Sequence, residues 1–299
     1  MNEDLKWSNY DFTKIPFDDI VSVGQRTLLY RDLFTVSWLL GRFCNYRCSY
    51  CWPYARSDRK DHRPTELCFK TIDSIKEQAR GNGFNSFHFS LSGGEPTFHP
   101  GYLDILDYLA DDVSNTNYTS VHMTSNCSRP MKWFSEYVER VKPFHRASIT
   151  ASLHTEHVNT KEKMQDFADK LILCQEHDVQ ITINQVMVPE WFERDWENAL
   201  FFHEQGINVT LKPQSDPTAS KVVDGYTRDQ LKKLYNGMPQ RAYTESKRKW
   251  QARPKATFEI PTGIGKPDAS VPWHMQVELQ DSKGKKWYMD QAERFNAFN

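Results

Sequence analysis

The sequence predicts an α/β fold in which six parallel strands alternate with helices and form an open or partial barrel. Between positions 34 and 212, short apolar runs rich in β-branched and aromatic residues alternate with longer amphipathic segments. A helix between two successive strands is the usual right-handed crossover that makes those strands parallel. Six such units are fewer than the eight of a closed barrel, so we expect an open sheet with its site at the carboxyl ends of the strands.

The first unit begins with the run Phe34 to Leu40 (FTVSWLL), whose composition is that of a buried strand. The polar, proline-containing segment from Cys44 to Arg63 is predicted to be a loop. Thr65 is a good N-cap candidate for a helix that ends near Gln78 or Arg80, just before two glycines.

The later units repeat the same order of strand and helix. The predicted strands are Ser86 to Leu91, Ser120 to Thr124, Ala147 to Leu153, Val179 to Val188 and Val209 to Lys212. The predicted helices are Tyr102 to Asp112, Met131 to Val141, Lys161 to His177 and Trp191 to Gln205.

The sequence divides into three regions at the points where this alternation starts and stops. Residues 1–32 show no clean period and are expected to be a polar lead-in with short turns, and residues 33–214 form the barrel. Residues 215–299 form a small C-terminal extension with a short helix, Thr227 to Tyr235, and a β-hairpin within His274 to Asp290.

Composition excludes several classes of protein. The 38 Lys and Arg residues nearly balance the 39 Asp and Glu residues, so the net charge of −1 excludes a globally basic nucleic-acid coat and an acidic tail. Apolar residues make up 38% of the chain and aromatic residues 13%, which is enough to build a core. No targeting signal is recognisable, and the apolar stretch Val36 to Leu40 is too short to span a bilayer. We therefore expect a soluble, cytoplasmic protein.

The six cysteines are distributed unevenly. Cys44, Cys48 and Cys51 form a CxxxCxxC motif directly after the first strand, whereas Cys68 and Cys174 are expected to be small buried hydrophobes on helices. Zinc sites more often pair two CxxC units or add histidines at fixed spacing. Three cysteines on one short loop suit three corners of a 4Fe–4S cluster, with the fourth iron open for chemistry.

The combination of motifs resembles the radical S-adenosylmethionine (radical SAM) enzymes. CxxxCxxC follows one strand, and Gly93-Gly94-Glu95-Pro96 follows the next, as in that superfamily. The resemblance extends from Phe34 to Gln214 and implies the partial (β/α)6 TIM-like barrel of these enzymes. It also implies two cofactors, a 4Fe–4S cluster and S-adenosyl-L-methionine (SAM).

The resemblance assigns roles to individual residues. It makes Cys44, Cys48 and Cys51 the cluster ligands, and it places Tyr50 near the adenine of SAM. It places Gly93, Gly94 and Glu95 at the methionyl amino group, where glycines permit close approach and a carboxylate can accept from an ammonium. It places Ser125 and Asn126 at the ribose or the carboxylate of SAM, and Ser152 at the ribose. It also points to Asn184 and Val186 on the fifth strand and to Lys212 on the sixth.

The resemblance also implies a reaction. The reduced cluster passes one electron to SAM, which yields a 5′-deoxyadenosyl radical that abstracts hydrogen from a substrate. An electron donor such as flavodoxin or ferredoxin is then required. The form LSGGEPT and the C-terminal hairpin resemble the SPASM or twitch branch, whose members modify peptides or small molecules. This chain departs from that branch because no cysteine follows Cys174, so the chain is either naturally short or truncated before an auxiliary-cluster domain.

Several alternatives remain open at the level of sequence. His154 and His157 either face the substrate or are solvated loop histidines, and Cys127 is either a substrate-side group or a buried thiol. The stretch Arg241 to Lys255, in which six Lys and Arg residues oppose one Glu, is either a solvated linker or a binding surface for a nucleotide or RNA substrate. A non-catalytic iron–sulfur or zinc scaffold is a third class of function.

Overall fold

The computed structural model describes residues 20–25, 33–52, 56–60, 62–218, 220–239, 277–284 and 286–289. The chain divides into two compact units. One comprises Phe34–Arg253, and the other combines Met1–Leu33 with Pro254–Asn299. The region boundaries predicted after residues 32 and 214 stay predictions.

The described elements follow the predicted order along the chain. The strands are β1 (Ile20–Gln25), β2 (Leu33–Gly41), β3 (Ser86–Gly93), β4 (Tyr118–Ser125), β5 (Arg146–Leu153), β6 (Gln180–Met187), β7 (Asn208–Pro213), β8 (Val277–Asp281) and β9 (Lys286–Met289). The helices are α1 (Thr65–Gly81), α2 (Tyr102–Ala110), α3 (Met131–Val141), α4 (Lys161–Glu176), α5 (Phe192–Glu204) and α6 (Arg228–Asn236). None of these described helices is both long enough and apolar enough to cross a membrane.

The larger unit is built on one six-stranded sheet. Its strands lie in chain order from β2 to β7, and each pair from β3 to β7 is parallel. Among the described residues β7 does not pair with β2, so the sheet is not closed. The predicted α/β fold with a partial (β/α)6 TIM-like barrel is confirmed. Because the strands are parallel, the loops that follow them meet at one edge of the sheet.

The helices cover one face of this sheet, and the main hydrophobic core lies between the helices and the sheet. On β3, Phe87, Phe89 and Leu91 are fully buried in that core, together with Leu106 of α2 and Phe134 of α3. Burial of each such side chain stabilises the fold by about 1.5–3 kcal/mol. The residues between them point to the other face of the sheet, away from the helices.

The smaller unit contains a three-stranded antiparallel sheet in the order β1–β8–β9. Strands β8 and β9 form the predicted C-terminal hairpin. The polar lead-in with short turns expected for residues 1–32 also contains a strand that the sequence analysis does not predict, β1, which pairs with β8 and places Gly24 opposite Glu278. The basic stretch Arg241 to Lys255 lies outside the described residues.

One helix start also differs from the expectation. Pro64, with φ −55° and ψ 139°, occupies the N-cap position of α1, and Thr65 is already the first helical residue. The Thr65 side chain lies against Gly101, where an added Cβ would meet its hydroxyl.

Candidate functional site

The three cysteines of the CxxxCxxC motif lie on the loop that follows β2, at the carboxyl edge of the sheet. Cys48 is buried, whereas Cys44 and Cys51 are half-buried. The N–H of Tyr46 donates to Cys44 Sγ at 3.4 Å, and the N–H of Cys51 donates to the Cys48 carbonyl at 3.1 Å. These bonds wind the loop into tight turns that keep the three thiols on one short segment.

The surroundings of the thiols favour their neutral form until a cation binds. Burial raises the pKa of all three, and it raises the pKa of Cys48 to about 12 with a further contribution from the Glu156 carboxylate. A bound metal centre reverses this preference, because coordination stabilises the thiolate. In the described part of the chain, no three His, Cys, Asp or Glu side chains are close enough to hold a single metal ion. Three cysteine thiols on one loop are the donor set of an iron–sulfur cluster, whose cysteine ligands occupy different corners.

The glycines of the SGGEP turn are required by the chain's own backbone. The N–H of Gly94 donates to the Gly41 carbonyl at 3.0 Å, and the N–H of Glu95 donates to the Phe43 carbonyl at 2.7 Å. A Cβ on Gly94 would lie 2.3 Å from the Phe43 oxygen, and a Cβ on Gly93, whose φ is +146°, would lie 2.2 Å from the Gly41 oxygen. The ends of β2 and β3 therefore approach closely only with glycine at both positions.

Glu95 connects the ends of β3 and β4 beneath this turn. Its Oε1 accepts from the Thr97 N–H at 3.2 Å, the Thr97 hydroxyl at 2.7 Å and the Ser125 hydroxyl at 2.8 Å, and its Oε2 accepts from the Asn126 N–H at 2.6 Å. Burial raises the pKa of this carboxyl group, and the four hydrogen bonds oppose that shift. Glu95 as a residue is only 2% exposed, so its contacts are internal ones.

The hydrogen bonds of Glu95 lead to a stability prediction. We expect Glu95→Gln to lower the free energy of unfolding by about 1–3 kcal/mol, because an amide NH2 group would face a backbone N–H that can only donate. Urea denaturation followed by circular dichroism measures the change. Glu136→Gln on the exposed side of α3 is the matched control and should leave the midpoint unchanged. Equal midpoints for the two variants would contradict the role of Glu95.

Ser125 and Asn126 extend the connection from Glu95 to the cysteine loop. The Asn126 side-chain amide donates to Asn45 Oδ1 at 2.9 Å and lies 3.9 Å from Cys44 Sγ. Asn126 Oδ1 accepts from the N–H of Ser128, so the orientation of this amide is fixed from both ends. The predicted pair thus lies at the site and contacts the segment that carries Cys44.

The loop between β5 and α4 contacts the cysteine loop from the other side. The hydroxyl of Tyr50 lies 2.8 Å from His154 Nδ1, and the rings of the two residues are stacked. The ring of Tyr46 stacks on His157 with 4.0 Å between centroids. Glu156 accepts hydrogen bonds from Ser49. The two histidines, which the sequence leaves as substrate-facing or solvated residues, therefore hold the cysteine loop.

The remaining predicted residues lie on the strands. Ser152 of β5 is beside Asn184 of β6, and both are half-buried. Val186 of β6 is beside Lys212 of β7, which is exposed. All four lie in the carboxyl half of parallel strands, so the topology brings them to the same edge as the cysteine loop.

Three residues that contact the motifs are absent from the sequence-based assignments. They are Asn45, Thr97 and Glu156. A signal existed for Glu156, because it lies between His154 and His157, the two histidines that follow the fourth predicted strand. Asn45 and Thr97 carried no signal except their closeness to the motifs.

The other cysteines are part of the core. Cys68, Cys127 and Cys174 are all at most 1% exposed and belong to the main hydrophobic cluster. The prediction of small buried hydrophobes is confirmed for Cys68 and Cys174. Of the two alternatives for Cys127, a substrate-side group or a buried thiol, the structure shows the buried thiol.

Comparisons with known proteins agree with this arrangement. A model of the radical SAM superfamily matches residues 38–203, which is more than half of the chain. Among solved structures, native anSMEcpe with bound AdoMet and Kp18Cys peptide is similar with a TM-score of 0.52 and 15% identity, over 68% of this chain and 59% of that one. Native anSMEcpe with bound AdoMet has a TM-score of 0.49 and 17% identity, over 68% and 60% of the two chains. No curated protein matches the chain.

This chain thus spans less than two thirds of those solved structures, and at such identities the likeness concerns the fold alone. The family model carries more weight, because it includes both the CxxxCxxC loop and the SGGEP turn that the fold brings into contact. On these grounds the chain belongs to the radical SAM superfamily.

Proposed function

We propose that this chain is an enzyme that uses a 4Fe–4S cluster and SAM, the cofactors of its superfamily, to modify a substrate by radical chemistry. When bound, the two groups together supply a 5′-deoxyadenosyl radical, which takes a hydrogen atom from the substrate. In this proposal Cys44, Cys48 and Cys51 hold the cluster. The other residues of the site bind SAM, orient the substrate and exclude water.

The observation that carries the proposal is the contact between the cysteine loop and the ends of β3 and β4. The N–H of Glu95 donates to Phe43 in the segment before Cys44, and Asn126 reaches Cys44 Sγ itself. A group held by the thiols would therefore lie against the SGGEP turn and the Ser125–Asn126 corner at once. These are the two places where the motifs of the superfamily are expected to meet SAM.

We assign SAM contacts to residues at this edge of the sheet. Glu95 positions the turn rather than meeting the methionyl ammonium, because its carboxylate already accepts four hydrogen bonds from the protein. The backbone of Gly93 and Gly94 is then the group that faces the ammonium. Further proposed contacts are Tyr50 for the adenine, Ser125 and Asn126 for the ribose or carboxylate, and Ser152 for the ribose.

The substrate is proposed to be polar, either a peptide or a small metabolite. A closed barrel fills its interior with bulky branched side chains, whereas the face of this sheet opposite the helices is lined by hydroxyl, amide and imidazole groups. Its positions on β3 to β6 include His88, Ser90, His122, Thr124, Ser148, Thr150, Thr182 and Asn184. Such groups supply donors and acceptors to a substrate that is itself rich in polar groups.

The proposal is tested by anaerobic reconstitution with iron and sulfide, followed by SAM and a reductant. Dithionite replaces the proposed physiological donor, a flavodoxin or ferredoxin. We expect 5′-deoxyadenosine to form, and we expect SAM to perturb the electron paramagnetic resonance spectrum of the reduced cluster. A fully loaded protein that neither responds to SAM nor cleaves it would contradict the proposal and favour a non-catalytic scaffold.

A nucleotide or RNA substrate stays a prediction from the basic stretch Arg241 to Lys255 alone. That stretch lies outside the described residues, so the contacts at the edge of the sheet do not bear on a nucleotide or RNA substrate. The polar face of the sheet is the observation that favours the first candidate.

A further inference from the structure

The segment His154–His157, between β5 and α4, contacts the cysteine loop on both sides of Cys48. On the side before Cys48, the ring of His157 stacks on Tyr46 at an interplanar angle of 8°, and its Nε2 lies 3.3 Å from the N–H of Arg47. On the side after Cys48, His154 Nδ1 is hydrogen-bonded to the hydroxyl of Tyr50. We name this segment the β5–α4 clamp.

Glu156 makes three hydrogen bonds to the cysteine loop. The N–H of Ser49 donates to both of its carboxylate oxygens, at 3.0 and 3.1 Å, and the Ser49 hydroxyl donates to Oε1 at 2.7 Å. Ser49 follows Cys48 directly, so the carboxylate holds the backbone at the peptide bond next to the thiol. Hydrogen bonds to an ionised carboxylate are stronger than bonds between neutral groups.

The clamp is itself fixed before it meets the cysteine loop. The N–H groups of His157 and Val158 both donate to the His154 carbonyl at 2.9 Å, which closes the segment into a turn. The Lys163 ammonium donates to the His157 carbonyl at 3.0 Å, and the Thr160 hydroxyl caps α4 by accepting from the N–H of Lys163. The carboxylate of Glu156 is therefore presented from a rigid support.

Among the described residues, no Lys or Arg side chain forms an ion pair with the Glu156 carboxylate. Its hydrogen-bond donors there are the N–H and O–H of Ser49, while Arg47 pairs with Asp58 at 2.6 Å. The carboxylate also acts on Cys48 electrostatically, after burial the largest influence on that thiol. A negative charge beside a cluster disfavours the addition of an electron, and net charge is one of the factors that set cluster potentials.

We propose that Glu156 is a positioning residue of the cluster site, which holds the Cys48 segment through Ser49 and lowers the reduction potential of the bound cluster. The part of this inference that concerns the reduction potential rests on the proposed function. The contact between Glu156 and Ser49 exists without any cofactor. Two variants separate the two effects. Glu156→Gln keeps an oxygen acceptor for Ser49 and removes the charge, whereas Glu156→Ala removes both.

The contact is tested in the cluster-free chain by hydrogen exchange of the segment that contains Ser49. We expect faster deuterium uptake in Glu156→Ala and near wild-type uptake in Glu156→Gln. Glu136→Gln is the matched control and should not change the uptake. Unchanged uptake in Glu156→Ala would overturn the proposal whether or not the wild-type chain loads a cluster.

The charge is tested in the reconstituted protein by a redox titration followed by electron paramagnetic resonance. We expect Glu156→Gln to load as much iron as the wild type and to show a more positive reduction potential. We expect Glu156→Ala to lose iron to a chelator several-fold faster. An unchanged potential in Glu156→Gln, or an equal shift in Glu136→Gln, would overturn the electrostatic role. A wild-type chain that loads no cluster would instead contradict the proposed function.

Discussion

Cys48→Ala is expected to abolish cluster binding and SAM cleavage while it leaves the fold almost intact. The Cys48 thiol is 7% exposed, yet it is not part of the main hydrophobic core, so its removal opens no large cavity there. The loop is also held by the hydrogen bonds from Ser49 to Glu156 and between Tyr50 and His154, which this substitution leaves in place. We therefore expect a change in the free energy of unfolding of less than about 1 kcal/mol.

Cys174→Ala is the matched cysteine control, because its effects should be the reverse. Cys174 is fully buried among the core residues of α4, far along the chain from the CxxxCxxC loop. Its truncation should cost about 1–3 kcal/mol of stability and preserve the cluster. Iron and sulfide content, 5′-deoxyadenosine formation and the urea midpoint are measured for both variants. Cleavage of SAM by reconstituted Cys48→Ala would contradict the ligand assignment.

Gly94→Ala is expected to destabilise the protein by more than about 3 kcal/mol, at the upper end of what overpacking costs. The new Cβ would lie 2.3 Å from the carbonyl oxygens of both Arg42 and Phe43. These are backbone atoms and cannot rotate away, so the ends of β2 and β3 must separate. Separation breaks the bond from the Gly94 N–H to Gly41 and displaces the segment that leads to Cys44.

Gly81→Ala provides the control for this prediction. Gly81 is the last residue of α1, and nothing lies within 4 Å of the position that its Cβ would take. Alanine there should change stability by less than about 1 kcal/mol and can raise it. Urea denaturation of both variants and the yield of folded protein are the measurements. A Gly94→Ala protein as stable as Gly81→Ala would mean that the two strand ends are not in close contact.

The amino-acid sequence by itself determined the type and the order of the elements in the larger unit. Polar and apolar residues alternate with a period of two in β5, and apolar residues recur with the helical period in α3. Helix α3 spans the predicted Met131 to Val141 without a shift. These patterns are local, because they depend only on which faces of one element are buried. The motif residues were found for the same reason, since CxxxCxxC and SGGEP are each read over a few consecutive positions.

The tertiary structure decided whatever depends on a partner far along the chain. Strand β1 escaped prediction because it is paired with β8, where Gly24 meets Glu278, and no local period announces such a pairing. Thr65, which the sequence suggests as the N-cap of α1, is instead its first helical residue, and its side chain lies against Gly101, 36 positions further along the chain.

The roles of the site residues divide in the same way. The sequence identifies Glu95 and the glycines, but only the fold shows that Glu95 is enclosed by donors from β4 and that the glycines accommodate the backbone of β2. Glu156 and Ser49 are 107 residues apart and meet because parallel strands deliver their following loops to one edge of the sheet. Local patterns reveal which loops carry chemistry, whereas the packing of strands decides which of their atoms touch.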